Sequence, residues 1–549
     1  MRAVHLVPAA AVLVALGAIG GVAQLGHPAT AQHPATLGPA TLGPASSPAA
    51  TRQVPVTSAA RACPPAPGGG AAPVALLAGG SSTAGSSTAG SSTAGSSTAG
   101  SSTAGHGPTN QVELTALPPV GLPVRAAGPV RAQSPGALAL LTLPAAKAAG
   151  KQAAGQQAAG QQAAGQQATG QQATQPVQGW SVAGGGAMAQ GLEAELTQDS
   201  GLASVRCAEP GSDLWFLGPG QQNGGSQVQL DLMNVDSTAA SVDVSIINDG
   251  GQVEAGNDNG ITVPPHQTVT ESLSSVARGS GVLAIEVHTS IGRVAADVSA
   301  ESHGVTSWLP GTAAPSTRLV IPGVPPSGST AGLFLADPGP STAKVTVTAI
   351  TPQGHISPFG SQSVDLPGQS ASYVALSPLG GTTAALQITS NVPVAGAVVV
   401  PGSSGPGVLT AATAPISEQA IVAGNTSGAG MAASVLLSAP GAAARVRLTE
   451  IAPASRAGAN GTSSVTSSQV VSVKAGHTLA APVKAPNGAK HDSAFALVIT
   501  PLPGSGPLYA ARVETQDRSN VVSIIPAASA LSTISLPPVR DSYDAISPP

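Results

Sequence analysis

The chain has 549 residues, length enough for three or four domains, but 68 glycines, 50 prolines and only 2% aromatic residues leave long stretches with nothing to build a core from. Charged residues make up 8% of the sequence, against about 25% in ordinary soluble domains, and the net charge of −4 comes without any Lys/Arg cluster. This excludes the basic footprint of a nucleic-acid-binding protein, leaves few charged pairs for catalysis, and predicts small cores of Val, Leu and Ile set among alanine.

In chain order, Met1 and Arg2 precede an uncharged run from Leu6 to Gly26, rich in Ala and Gly, with Gly21-Val22-Ala23 as a small-x-small cleavage site. Two readings stay open, a cleaved secretory signal or an uncleaved anchor at residues 6–26, and both export the rest of the chain. Residues 27–50 repeat Pro-Ala-Thr and read as an extended linker.

From residue 51 to 212 the pattern is a β module with interruptions. Val54-Pro-Val56, Arg61-Ala-Cys63, Val74 to Leu77, Val112 to Leu117 and Leu138 to Leu143 read as short strands, several with proline-marked edges. Between them fall five copies of Ser-Ser-Thr-Ala-Gly at 81–105 and a second pentapeptide tract at 151–175. A five-residue period fits neither helix nor strand and offers nothing to bury, so both tracts are expected to be disordered, dispensable inserts. Gly179-Trp-Ser-Val182 reopens ordered chain, and Ser204 to Cys207 leads into the main body.

Asp213-Leu-Trp-Phe-Leu-Gly218 sets the period of the remaining chain. Leu319-Val-Ile-Pro-Gly323 and Ala420-Ile-Val-Ala-Gly424 echo it, with glycine spacings of 105 and 101 residues. After Gly218, strands are expected at Gln227 to Met233, Ala240 to Ile247, Ile261 to Val263, Thr268 to Leu273, Val282 to Val287 and Val294 to Val298. Val242, Val244 and Ile246 alternate with Ser241, Asp243 and Ser245, which gives one buried and one wet face. The expected fold is therefore all-β: three tandem immunoglobulin-like β-sandwiches at 213–315, 316–416 and 417–527, with a tail at 528–549.

The two cysteines of the sequence, Cys63 and Cys207, flank strand ends in a chain read as exported, so a disulfide between them is expected, against unpaired thiols or intermolecular pairing. No Gly-x-Ser-x-Gly elbow is found, and Gly428-Ala-Gly430 has no following helix, so it reads as a turn rather than a dinucleotide site. Asn257 to Gly260 lacks the carboxylates of a calcium loop, and the ten histidines lack metal-ligand spacing. No cofactor, metal or catalytic residue is assigned. Trp215, Phe216 and Trp308 are candidates for ligand stacking or for packing between domains.

At Cys63-Pro-Pro65, Gly179 to Val182, Cys207 to Gly218, Trp308-Leu-Pro310 and Gly506 to Arg512, the chain resembles an uncharacterised actinobacterial family catalogued as domain of unknown function 5719. The resemblance spans roughly residues 52 to 533 and implies an exported, β-rich protein with two widely spaced cysteines, the pentapeptide tracts being private insertions. It transfers no catalytic residue. Two functions remain: a non-enzymatic envelope protein that presents its sandwiches to a protein or wall-glycan partner, or an exported hydrolase with a dispersed site such as Glu209, Asp213, His303 or His355. Contact with a membrane is expected only through the N-terminal segment, with no nucleic-acid partner, and oligomeric state stays open.

Overall fold

The computed structural model describes residues 52–66, 72–79, 112–122, 126–130, 135–143, 179–197, 204–221, 227–253, 259–302, 305–326, 331–358, 363–376, 379, 381–401, 407–428, 430–453, 464–490, 494–517 and 520–536. The expected signal or anchor at residues 6–26, the expected linker at 27–50, both pentapeptide tracts, His303 and the last residues of the tail lie outside them. Among the described residues no helix is longer than four residues, and none is long and apolar enough to cross a membrane. The described residues from 53 to 536 form one body.

The body is all-β, and its strands repeat one pairing scheme four times. In the last module the eight strands are Ala420–Asn425, Met431–Ala439, Ala444–Pro453, Ser464–Val473, His477–Val483, Phe495–Pro501, Tyr509–Gln516 and Asn520–Pro526. The first, sixth, third and fourth strands form one antiparallel sheet, and the fifth, second, seventh and eighth form the other. The module that opens at Asp213–Pro219 follows the same order, with its fourth strand split into Gly251–Val253 and Ile261–Val263. So does the module that opens at Ser316–Val324, where the sixth and seventh strands are one continuous strand, Ala384–Val400, that passes from one sheet to the other. The interrupted stretch near the N-terminus is a fourth copy: Ser58–Cys63, Ala72–Leu77, Val112–Leu117, Ala126–Val130, Leu138–Leu143, Gly179–Gly185, Glu193–Thr197 and Ser204–Arg206 pair in the same way. The pentapeptide tracts fall between its second and third and its fifth and sixth strands, where a chain can lengthen at little entropic cost. In chain order these are modules one to four, one more than the period of the glycines reveals.

The pairing differs from the immunoglobulin order. There the third, sixth and seventh strands share a sheet, whereas here the seventh pairs with the second, in the opposite sheet. Each module buries an apolar cluster between its two sheets, as the alternation in sequence requires. Val242, Val244 and Ile246 face Leu230, Leu232 and Val298 in module two, and Val446, Leu448 and Leu497 lie with Val435 and Leu437 in module four. Each such side chain taken from water stabilises the fold by about 1.5–3 kcal/mol.

The modules close into a ring. Ala62 and Leu117 of module one pack on Met233, Val235 and Ala295 of module two. Phe334, Ala336, Ala397 and Leu409 of module three join the core of module two. Leu436, Ala511, Val513 and Ile524 of module four join that of module three. Ala75, Leu77 and Leu138 of module one then meet Ile421, Ala423 and Val498 of module four. Alanine, which adds little area to a core, suits these joints because it lets sheets approach closely. The recurring glycines sit at the same joints. A Cβ on Gly218 would stand 2.9 Å from Leu309 of its own module and 3.2 Å from Leu409, one on Gly323 would stand 2.5 Å from Ala511, and one on Gly424 would stand 3.1 Å from the Glu195 carboxyl. Each glycine thus lies against the next module round the ring, which explains why the sequence period is marked by that residue. Within the expected tail, Thr533–Leu536 is a strand that pairs with Arg52–Pro55.

Candidate functional site

Because each module ends in an edge strand of its second sheet, closing the ring brings four such edges together. Ser204–Arg206 lies against Asn520–Pro526, which lies against Val408–Ala411, which in turn lies against Val305–Leu309. These eighth strands line one cavity of about 840 Å³, within the size range of small-molecule sites. Trp215, Phe216 and Trp308 all line it, so the three aromatic residues singled out in the sequence converge although they come from opposite ends of module two.

The strand Ala295–Ser302 shows how the polar wall arises. Its alternate residues Ala296, Val298 and Ala300 enter the module core, which turns Asp297, Ser299 and Glu301 to the other face. Trp308 stands opposite Ser299 on the neighbouring eighth strand. Asp297 stands opposite Asp231. Thr270 donates its hydroxyl to Asp231 at 2.6 Å. Burial raises the Asp231 carboxyl to about 6, with the Thr270 hydrogen bond opposing. Burial, and then the neighbouring Asp231 charge, hold the Asp297 carboxyl well above the usual carboxylate range. Two carboxyls side by side without a cation resist ionising together, so this pair keeps at least one proton near neutral pH.

Four lining residues each carry a side-chain polar atom that is shut off from solvent and has no hydrogen-bond partner among the described residues: the indole nitrogens of Trp215 and Trp308, Oδ2 of Asp297 and Oγ1 of Thr413. Arg206 is the one Lys or Arg of the described lining, and it is engaged: its Nε donates to Glu193 at 2.7 Å. Burial alone would raise Glu193, but Arg206 and Arg61 together hold its carboxyl below the ordinary range. The remaining charged lining residues, Glu209, Asp213 and Glu301, are acidic. Glu209 and Asp213, two of the candidates for a hydrolytic site, are therefore brought to one cavity, while His355 sits apart, against Gly476. No group of metal-ligating residues occurs among the described residues.

Cys63 and Cys207 are joined, with 2.02 Å between the sulfurs. The bond ties the end of the first strand of module one to the residue after its eighth, at the passage into module two. A bond of this kind points to an oxidising compartment.

A second buried cluster lies at the joint between modules four and one. Arg512 contacts both Glu195 and Glu514, and all three side chains are buried. Gly424 N–H donates to Glu195 at 3.0 Å, and Thr426 N–H to Glu514 at 2.6 Å. Burial raises Glu195 to about 7, against the pull of Arg512 and with a further push from Glu514. Glu195 therefore holds its proton well above the ordinary carboxylate range. Sequence reasoning misses Asp231, Asp297, Glu195 and Arg512. Alternation with apolar neighbours, as in Glu193-Ala-Glu195-Leu, reads as a wet face, and only the ring turns that face inward.

No curated protein and no solved structure matches the chain. A family model described as a family of unknown function (DUF5719) matches residues 145–484. The match begins just after the fifth strand of module one and ends just after the fifth strand of module four, which takes in three full periods of the strand scheme and the cavity-lining segments of modules one to three. A match over more than half of its length, across the repeats that build the ring, makes this chain a member of that family of unknown function.

Proposed function

We propose that the chain is an exported, non-enzymatic protein of the cell envelope, in which the ring of β-sandwiches gives a rigid frame for a binding site at its centre. The observation that carries this reading is the cavity itself, on which segments of all four modules converge. The disulfide and the apolar N-terminal segment support export to an oxidising space. The partner is an envelope protein or a wall glycan. The sequence stretches 51–212, 213–315, 316–416 and 417–527 are read as the domains of this frame, and residues 6–26 as its signal or anchor.

Affinity capture from envelope extract with the oxidised full-length chain tests the proposal. A specific envelope component retained by the wild type and lost with a blocked cavity is expected. A second reading, an exported hydrolase, draws on Glu209, Asp213 and Asp297 lining the same cavity. Turnover of envelope material that is abolished by Asp297→Asn would favour it over the first.

A further inference from the structure

We infer that Ser464–Val473, the fourth strand of module four, is a docking edge for an acidic extended segment of a partner protein, which adds to the sheet as one more strand. This surface is separate from the central cavity and does not depend on how that cavity is read. The strand pairs along its whole length with Ala444–Pro453, and among the described residues no other backbone hydrogen bond reaches it. Every second residue of an antiparallel pair turns its N–H and C=O away from its neighbour, so the outer side of this strand is a row of open donors and acceptors. The equivalent strands of the other modules are blunted. In module one it is Ala126–Val130, five residues with Pro129 in place of a donor. In modules two and three it is broken into pieces of three residues, Gly251–Val253 and Ile261–Val263, then Gly354–Ile356 and Val364–Leu366. Of these four edges only that of module four runs unbroken for ten residues, built from Ser, Thr, Gln and Val with no charge and no proline. From Thr466 to Val470 each residue is exposed, Val470 to 52%.

Charge selects the occupant. Between 417 and 527 Lys and Arg outnumber Asp and Glu by eight to five, whereas between 213 and 315 they are outnumbered by two to eleven. Arg447 stands opposite Val470 and Arg445 opposite Ser472, both exposed on the face that turns away from the core residues Val446 and Leu448. Lys474 follows the strand directly and is exposed as well. None of these three cations makes an ion pair among the described residues. The neighbouring Glu450 is buried and already accepts from Ser467 at 3.0 Å and Gln469 at 3.4 Å. A strand added beside Ser464–Val473 places alternate side chains on the face of Arg445 and Arg447, two strand spacings or about 10 Å away, a gap that an arginine and a glutamate close by reaching toward each other. Carboxylates at those alternate positions thus meet the free cations while the backbone fills the open row. A second copy docking by the same edge brings Arg445, Arg447 and Lys474 of both chains together, and like charges oppose it. A structureless anionic polymer uses the cations but leaves the backbone row unpaired.

The test uses the oxidised full-length chain at low salt and three synthetic ten-residue peptides. One alternates glutamate with valine, one alternates lysine with valine, and one alternates glutamate with proline, which keeps the charge but cannot pair as a strand. Calorimetry gives the affinity and amide exchange gives the place of contact. The glutamate–valine peptide is expected to bind, and at about ten times its Kd to slow exchange along Ser464–Val473 about tenfold, with the other two peptides far weaker. The double change Arg445→Glu, Arg447→Glu is expected to weaken that peptide by about fivefold or more, because two exposed ion pairs become repulsions, and to let the lysine peptide bind instead. A thermal melt confirms that the variant is folded. Strand addition is ruled out if the proline peptide binds as tightly as the valine one, which is the behaviour of a patch for any polyanion, or if protection falls outside Ser464–Val473. The acidic partner is ruled out if the lysine peptide binds the wild type equally well, if the folded double variant keeps its preference for glutamate, or if no peptide binds at millimolar concentration. Sedimentation showing the free chain already paired through this edge, with its exchange already slow, would make a second copy the occupant and overturn the proposal.

Discussion

The joint between modules two and three and the joint between modules four and one hold the ring by different chemistry. The first is apolar: Phe334, Ala336, Ala397 and Leu409 merge into the neighbouring core. The second combines a smaller apolar patch with the buried Glu195, Arg512 and Glu514 cluster. Modules two and three are consecutive in the chain and meet at high effective concentration, so non-directional contact is enough to join them. Modules one and four are separated by two others, and their encounter can settle in many wrong registers. A buried ion cluster adds little net stability compared with apolar side chains, but it heavily penalises any register that leaves a charge unpaired. We read the closing joint as the one that sets the register of the ring.

Replacing Arg512 with Met should have the largest effect. It strands two buried carboxyls and should cost about 3–5 kcal/mol in urea unfolding. The triple change Glu195→Leu, Arg512→Met, Glu514→Leu should recover most of that stability, yet amide exchange along Ala420–Asn425 should stay faster than in the wild type. Full protection in the triple variant would show that the charges do not set register.

Removing the disulfide with Cys63→Ser and Cys207→Ser should cost about 2–4 kcal/mol, below the limit for closing a loop of 144 residues, because long inserts lie within it. The loss should appear as early melting of module one, with module four still folded. Leu409→Ala, at the apolar joint, should cost about 2–3 kcal/mol for the lost methyls and the space they leave. That loss should be the same at pH 5 and pH 8, whereas the loss from Arg512→Met should vary with pH. Equal pH responses would remove the contrast between the joints.

The smallest expected effect comes from pH alone. Glu195 and Asp231 are raised to about 7 and about 6 when folded, and Asp297 is raised as well, so the folded chain binds these protons more tightly than the unfolded one. Their contribution is complete below the ordinary carboxylate range and is lost as pH rises through the raised values. Glu193 is lowered, so its contribution is present above its ordinary value and is lost only as pH falls through the depressed one. The melting temperature should therefore peak near pH 5 and fall by several degrees toward pH 8. A melting temperature that rises between pH 5 and pH 7 would contradict the protonated state of these pairs.

The strands of modules two to four are legible in the sequence because Val, Ile and Leu alternate cleanly with Ser, Thr and Asp between glycine turns. Module one reads as β but not as a copy. Its second and third strands lie far apart in sequence, and so do its fifth and sixth, which destroys the interval that identifies the others. Trp215 and Trp308 stand out because tryptophan is rare here. Asp297 and Arg512 do not, since only tertiary closure buries the faces that carry them.

The pairing of Arg52–Pro55 with Thr533–Leu536, reinforced by Val56 N–H donating to the Ser532 carbonyl at 2.9 Å, makes the folded path nearly circular. A ring whose first and last described strands are hydrogen-bonded neighbours can be cut elsewhere without losing its shape. Joining those strands by a short linker and opening the backbone instead between Thr312 and Ser316, where module two passes into module three, would produce a circular permutant that keeps every joint of the ring. In such a molecule the contact between Glu195 and Arg512 would become one between consecutive modules. The burden of finding the right register would pass to the apolar joint of Phe334 and Leu409, which carries no charge to enforce it.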